Sequence, residues 1–243
     1  MEIFLQSETW IALITLTFLE IVLGIDNIIF ISIVAGKLPE HQQKRARLIG
    51  LSLALITRVI LLFGITWLVG LTEAILSIGG FDLSWRDLIL ITGGLFLIAK
   101  STSEIHHKVE GAGIEDKENN EVKPSGAFGK ALFQIVMLDI IFSFDSILTA
   151  VGLTDQILLM VIAVIVSILV MMIFAGAISG FIAKHPTLQV LALSFLILIG
   201  FMLGIEAFHF HVPKGYIYFA VFFSLVVEVI NIRMRKKTIK KPQ

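Results

Sequence analysis

The sequence predicts an all-α membrane protein, a polytopic bundle of seven transmembrane helices. Of its 243 residues, 57% are hydrophobic and 16% are charged, whereas soluble domains carry roughly 25% charged residues. The mean hydropathy is +0.95. The apolar residues form seven long segments, and Lys and Arg collect in the connections on one side of them. Together these observations predict a chain that lies almost entirely in the membrane.

The seven apolar segments are read as spans because a helix of about 20 residues crosses a hydrocarbon core of about 30 Å. They lie at about 10–35, 48–70, 86–100, 129–152, 156–182, 187–206 and 214–232. The third is short, and its helix can continue past Lys100. The N-terminal stretch has no Lys or Arg, so it lacks the basic region of a signal peptide, and we expect the first segment to remain as a transmembrane helix.

Basic residues predict the orientation, since cytoplasmic loops of membrane proteins are enriched in Lys and Arg. With the C-terminus in the cytoplasm and the N-terminus outside, 16 of the 19 Lys and Arg residues lie in inside segments. Only Arg86 and Lys214 lie outside, and Arg58 lies within a span. We therefore predict a multi-pass protein of the bacterial inner membrane with that orientation.

Other features exclude several classes of function. The formal net charge is +0, which gives nucleic-acid binding no electrostatic support, and the chain has no cysteine to form a thiolate metal site. There is no hydrolase nucleophile elbow, P-loop, dinucleotide fingerprint or HExxH motif, so we expect neither an enzyme nor a bound cofactor. The polar segment 101–128 is predicted to be a cytoplasmic loop.

Two short acidic motifs repeat within the apolar segments. Glu20 is followed six residues later by Asp26 and then Asn27; Asp139 is followed at the same spacing by Asp145, then a serine. The two copies lie in spans one and four, an offset of three spans, so they run in opposite directions through the membrane. We predict a 3+3 inverted repeat, with repeat one at about 10–100, repeat two at about 129–206, and a seventh helix at about 214–232.

Inversion places the two motifs near one another at mid-membrane, where inverted-repeat transporters bind their substrates. Glu20 and Asn27 share one helix face, as do Asp139, Ser143 and Ser146. On an ideal helix the second acid of each motif points about 120° away. Either these acids reach another gap in the bundle, or each helix is broken within its motif, near Gly24 or Ser143.

The buried acids favour a binding site for a divalent cation. A charge near the bilayer centre costs about 2.5–3.5 kcal/mol on insertion scales, so such residues commonly have a function. Carboxylate, amide and hydroxyl oxygens are hard ligands that suit Mn²⁺, Mg²⁺ or Ca²⁺. The candidate metal ligands are Glu20, Asp26, Asn27, Asp139, Asp145, Ser143 and Ser146.

Three further charged residues are weaker candidates. Arg58 is interpreted as a counter-charge to one of the acids, while Glu206 and Glu228, near the ends of spans six and seven, could line access routes. The alternative is a structural network in which the buried acids pair with Arg58, serines and Asn27 and only position the helices.

The segments FLEIVLGIDNIIF, LDIIFSFDSILTAVG, LALSFLILIGF and HVPKGYIYFA closely resemble the TerC family of integral membrane proteins. The likeness spans nearly the whole chain and is greatest to short bacterial members without CBS domains. It implies seven helices in the inner membrane and export of manganese or a related divalent metal. The family's acidic positions match Glu20, Asp26, Asn27, Asp139 and Asp145.

From these patterns we expect a secondary transporter that exports a divalent cation, with Mn²⁺ the first choice, in possible exchange for protons. The alternative is a non-transporting scaffold or assembly factor for metal-linked or exported proteins, since some relatives are connected with such roles. The expected partners are the cation and the lipid bilayer. The sequence leaves open the ion, the direction, the coupling and the formation of a homo-oligomer.

Overall fold

The chain forms eight helices and one small hairpin in the residues that the structure describes. The structure is a computed structural model, and it describes residues 7–78, 81–110, 124–151, 154, 156–210 and 213–239. Within these ranges, the side chains of residues 26, 78, 81, 124, 125, 145, 149, 214 and 235–239 are not described. In chain order the elements are α1 (Ser7–Gly36), α2 (Glu40–Phe63), α3 (Ile65–Gly70), β1 (Ala74–Ile78), β2 (Phe81–Ser84), α4 (Trp85–Val109), α5 (Pro124–Val151), α6 (Ile157–Ala183), α7 (Pro186–Ala207) and α8 (Lys214–Ile239).

Seven of the helices are long and apolar enough to cross a membrane, which confirms the predicted fold class. They are α1, α2, α4, α5, α6, α7 and α8. At about 1.5 Å per residue, even the 22 residues of α7 span about 33 Å. A helix satisfies its own backbone hydrogen bonds, which is why apolar segments of this length fold as helices in lipid.

The second predicted span, 48–70, is divided in the structure. Helix α2 begins earlier, at Glu40, and ends at Phe63, and the six-residue helix α3 follows after Gly64. Gly64 has φ −83° and ψ 16°, outside the regular α-helical range, so the helix is interrupted there. Glycine lowers helix stability by about 1 kcal/mol relative to alanine, which makes this position a natural point of interruption.

A short hairpin, which the sequence analysis did not predict, connects α3 to α4. Strands β1 and β2 pair antiparallel, with Ser77 opposite Asp82. A signal for it is present, since two glycines lie between two short apolar stretches. At the end of β2, Ser84 accepts a hydrogen bond from the Asp87 backbone N–H at 3.2 Å, and the Asp87 carboxylate accepts one from the Ser84 N–H at 2.8 Å. This capping box begins α4.

The predicted cytoplasmic loop 101–128 is shorter than expected at both ends. Helix α4 continues to Val109, and α5 already begins at Pro124; residues 111–123 lie outside the described part. Polar residues extend α4 because Lys100 and Glu104 form an i,i+4 ion pair of 2.8 Å. Basic side chains in its last turn also interact favourably with the helix dipole.

The helices pack in pairs that agree with the predicted inverted repeat. Helix α1 packs along α6, α2 along α5, and α4 along α7. The predicted symmetry exchanges α1 with α5, α2 with α6, and α4 with α7. Under this exchange the pair α1–α6 becomes the pair α5–α2, and the pair α4–α7 is unchanged. This packing is what such a repeat requires, although the repeat itself stays a prediction.

Glycines allow a close contact between α4 and α7. A Cβ atom added at Gly200 would lie 2.7 Å from the carbonyl oxygen of Gly94 and 2.9 Å from Cγ1 of Ile98. Small residues at helix contacts are a common way for membrane helices to associate, since they let the backbones approach. The α4–α7 pair is therefore held at a backbone distance that no larger residue permits.

Candidate functional site

The first acids of the two motifs meet at a single arginine. Arg58 of α2 forms an ion pair with Glu20 of α1, with 2.5 Å between Nη1 and Oε2. Its Nε and Nη2 atoms each donate to Oδ1 of Asp139 of α5 at 3.2 Å. The guanidinium group thus lies between the two carboxylates, and residues far apart in the sequence converge as the repeat predicted.

Asp139 has the larger set of partners. Its Oδ1 also accepts a hydrogen bond from Nδ2 of Asn27 at 3.2 Å, and its Oδ2 accepts from the hydroxyls of Thr57 at 3.2 Å and Ser143 at 3.3 Å. The carboxylate therefore connects α1, α2 and α5. We call Glu20, Asn27, Thr57, Arg58, Asp139 and Ser143 the central network.

The central network is nearly closed to solvent. Arg58 is 2% exposed, and Glu20 and Asp139 are each 4% exposed. Charges at such depth persist only when they are paired and hydrogen-bonded, because desolvation of each ion costs several kcal/mol. Arginine suits this position since its planar group presents five donors and keeps its charge. The structure thus gives Arg58 two acids as counter-charges, where the sequence analysis assigned it one.

The remaining motif residues are placed as follows. Ser146 is buried, and its hydroxyl donates to the backbone carbonyl of Ser143 at 3.2 Å. The side chains of Asp26 and Asp145 lie outside the described part, so the set of four acids stays a prediction. Within the described residues, no three His, Cys, Asp or Glu side chains come close enough to hold a metal ion.

The helices that carry the motifs are unbroken, so the expected alternative of a break near Gly24 or Ser143 is wrong. Helix α1 runs continuously from Ser7 to Gly36, and α5 from Pro124 to Val151. Gly24 instead permits close packing, since a Cβ atom there would lie 2.9 Å from Cε of Met171 on α6.

A small cavity leads from the central network toward one end of the bundle. It has a volume of about 70 Å³, room for a few water molecules, and is lined by Arg58, Ser146, Glu206 and Tyr218 among mainly apolar residues. At its far end Oε1 of Glu206 lies 3.3 Å from Nη2 of Arg86. Glu206 therefore lines the same cavity as Arg58. Glu228, on α8, contributes neither to this lining nor to the bonds of the network.

The sequence analysis did not identify two polar residues that have buried partners. Thr57, which precedes Arg58 on α2, joins the network through the hydrogen bond of its hydroxyl to Asp139. In the sequence, the one feature that could have indicated this role is a hydroxyl residue within an apolar span. Glu104 is buried at the other end of the bundle, where it pairs with Lys37 and Lys100. Its i,i+4 spacing from Lys100 could have revealed that this segment is helical.

The fold and site define a multi-pass membrane protein with a buried, charged centre. The chain belongs to the TerC family of integral membrane proteins, whose family model matches residues 5–243. The resemblance seen in the motifs is thereby confirmed.

Several relatives are similar over most of this chain. The UPF0053 inner membrane protein YgdQ of Escherichia coli K12 is 51% identical over 232 residues, which are 96% of this chain and 96% of YgdQ. A UPF0053 protein of Haemophilus influenzae is 48% identical over 95% of this chain and 96% of its own length. A Buchnera aphidicola UPF0053 protein is 50% identical over 95% of this chain, which spans only 44% of that longer protein. No solved structure matches the chain significantly.

Proposed function

We propose that the protein is a secondary transporter that exports a divalent cation, Mn²⁺ first, across the bacterial inner membrane. One observation carries this proposal: the first acids of the two sequence motifs, Glu20 and Asp139, meet at one buried arginine. If each acid only stabilised its own helix, the acids of the two motifs would not need to converge. The location is supported by YgdQ, a relative named as an inner membrane protein.

The chemistry of the donors supports a hard cation. Around Asp139 lie an amide and two hydroxyls, and the ligands proposed for the ion are Glu20, Asp26, Asn27, Asp139 and Asp145, with the Ser143 or Ser146 hydroxyls. Oxygen ligands of this kind suit Mn²⁺, Mg²⁺ or Ca²⁺. Manganese is the first choice among them because the resemblance to the TerC family implies export of manganese or a related divalent metal.

Charge balance assigns a role to Arg58 in this proposal. With every group ionised, Arg58 offsets one of the two charges of Glu20 and Asp139, and the two remaining acids of the motifs add further negative charge. A divalent cation or protons would compensate that excess. Arg58 then acts as a tethered cation that holds the carboxylates together when the ion is absent, and exchange of the metal for protons keeps the buried charge low.

Access is supported by the cavity that joins Arg58 and Ser146 to Glu206. In the predicted orientation this cavity opens toward the outer side. Rocking of the two repeats against each other would expose the network alternately to the two sides, as in other transporters built from inverted repeats.

The test is metal flux through the purified full-length protein in proteoliposomes. A metal-quenched dye and a pH reporter inside the vesicles follow Mn²⁺, Mg²⁺, Ca²⁺ and Zn²⁺ under imposed gradients. We expect Mn²⁺ flux coupled to a pH change, and a loss of at least tenfold in the double variant Asp26→Asn/Asp145→Asn. Glu40→Gln, an exposed acid at the start of α2, is the matched control and should transport normally.

A second candidate, a non-transporting scaffold or assembly factor, is favoured by the completeness of the central network. Asp139 uses both of its oxygens, and Arg58 is paired on both sides, so the network can stabilise helix packing without any ion. The same vesicles discriminate between the two functions. An absence of flux for all four metals under every gradient, in correctly folded protein, would support the scaffold and reject transport.

A further inference from the structure

A second cavity lies at the opposite end of the bundle, which is the predicted cytoplasmic end. Its volume of about 520 Å³ is within the range of about 300–1,000 Å³ that is common for ligand pockets. Residues of five helices, α1, α2, α4, α6 and α7, and of the turn after α1 line it. The polar ones that matter here are Lys37, Gln43, Glu104, Lys108, Ser179 and Gln189.

The lining of this cavity is positively charged. Lys37 and Lys100 both pair with Glu104, the second at 2.8 Å, and Lys108 donates a hydrogen bond to Gln189. The lining therefore carries two lysines, Lys37 and Lys108, and one carboxylate, Glu104, while Lys100, outside the lining, gives that carboxylate a second cationic partner. An excess of positive charge at the entrance of a cavity attracts anions and disfavours cations, so this is not a further site for the proposed cargo.

Ser179 on α6 provides an independent indication of a ligand. It is 7% exposed, it lines the cavity, and its hydroxyl has no hydrogen-bond partner among the described residues. Buried polar atoms nearly always have a partner, so a hydroxyl of this kind needs an explanation. A ligand with acceptor oxygens in the cavity would supply one.

An apolar groove of about 460 Å³ adjoins the charged cavity. Ile182 lines both of them. On α1, Ile25 and Ile29 line the groove, and Ser32 and Gly36, which continue the same helix stripe, line the cavity. The groove is lined by α1, α6, α7 and α8, and its lining includes Phe181, Leu188, Leu191, Phe195 and Leu225.

We propose that the cavity and the groove together form a binding site for one anionic phospholipid of the cytoplasmic leaflet. The phosphate headgroup lies in the cavity beside Lys37 and Lys108 and accepts a hydrogen bond from Ser179, while an acyl chain lies in the groove beyond Ile182. Basic pockets between transmembrane helices on the cytoplasmic side recognise anionic headgroups in this way. The charge of the cavity and its continuity with an apolar groove select a lipid rather than a soluble anion.

The test is native mass spectrometry of the full-length protein in a neutral detergent. The probes are phosphatidylglycerol, phosphatidylcholine with the same acyl chains, and sn-glycerol 3-phosphate. We expect one phosphatidylglycerol to bind saturably, at least tenfold more tightly than phosphatidylcholine. Glycerol phosphate should bind far more weakly than the lipid because it lacks the chains that fill the groove.

Variants separate the two halves of the site. Lys37→Gln/Lys108→Gln should weaken phosphatidylglycerol binding by about thirtyfold, since each lysine near an anionic surface contributes about fivefold. Lys44→Gln, an exposed lysine at the same end that does not line the cavity, is the matched control and should bind normally. Ala177→Phe should block the groove, while Ile173→Phe, one turn away and outside the groove, should not.

Three results would overturn this proposal. One is equal binding of the two phospholipids to the unaltered protein, a comparison that does not depend on any variant. Another is unchanged binding in both the lysine double variant and Ala177→Phe. The third is equally tight binding of glycerol phosphate and phosphatidylglycerol, which would indicate a site for a soluble phosphate. Each result is independent of the flux experiment, so lipid binding and transport succeed or fail separately.

Discussion

Replacement of Arg58 by methionine is the most direct perturbation of the central network. Methionine keeps most of the side-chain length and packing but removes the guanidinium group. Glu20 then loses its ion pair at 2.5 Å, and Asp139 loses both of its bonds to Arg58 at 3.2 Å. Both carboxylates remain buried, with no other cation paired to them among the described residues.

The magnitude follows from the burial of the three residues, since Arg58 is 2% exposed and Glu20 and Asp139 are each 4% exposed. Removal of one partner from a buried ion pair costs about 3–5 kcal/mol, because an uncompensated charge stays in a medium of low dielectric constant. Asp139 keeps its bonds to Asn27, Thr57 and Ser143, which limits its share of the loss. We therefore expect Arg58→Met to lower the free energy of unfolding by about 3–5 kcal/mol.

The measurement is reversible denaturant unfolding of the purified protein in detergent micelles, followed by tryptophan fluorescence. The triple variant Arg58→Met/Glu20→Gln/Asp139→Asn is the informative companion. It removes the two carboxylate charges together with the guanidinium, so neither carboxylate is left buried without a counter-charge. The triple variant should therefore recover more than half of the free energy of unfolding that Arg58→Met loses. Arg45→Met, an exposed arginine on α2, is the control and should change stability by less than about 0.5 kcal/mol.

The reasoning would be refuted by an Arg58→Met protein that unfolds within about 1 kcal/mol of the unaltered protein, since a surface ion pair has about that value. It would also be refuted by a triple variant less stable than the single one. Either result would mean that the ion pairs at Arg58 do not compensate buried charge.

Three further predictions concern the fold. Gly94→Leu should prevent the close α4–α7 contact and so lower the midpoint of denaturant unfolding or abolish folding. Gly176→Leu is the control and should be tolerated, because an added Cβ at Gly176 meets nothing within 4 Å. Equal unfolding midpoints for the two variants would contradict the close helix contact. Ser84→Ala should lower the free energy of unfolding by about 1 kcal/mol in the same denaturant assay, because α4 loses its N-terminal cap. A change near zero would show that the capping box does not stabilise the protein. A reporter that is active only in the cytoplasm should be active when it is fused after residue 243, and a reporter that is active only outside the cytoplasm should be inactive there. The opposite pair of results would contradict the predicted orientation.

The sequence predicted the helices well where apolar residues dominate and less well where they do not. All seven predicted spans correspond to membrane-length helices, because burial in lipid depends mainly on composition and length. The ends were less accurate, since polar pairing carried α4 through 101–109 and Gly64 separated α2 from α3. Those boundaries depend on side-chain bonds and local backbone preference, which hydropathy does not report.

The candidate site was predicted in part. The repeated motif identified Glu20 and Asp139 as acids that should meet, and they do so at Arg58. The sequence did not identify the participation of Thr57 or the close approach of Gly94 to Gly200, because these contacts join helices that are distant in the chain. The four-acid metal site is still a prediction.

The sequence by itself determined that this chain is a seven-helix membrane protein with rare charges at mid-span, since composition, segment length and motif spacing are properties of the linear chain. Only the tertiary structure decided which charges pair. Arg58 binds Glu20 and Asp139 together because α1, α2 and α5 pack around it, and a hydrogen bond depends on distances of a few tenths of an ångström. The helical period defines the face of each residue, but only packing defines which faces meet.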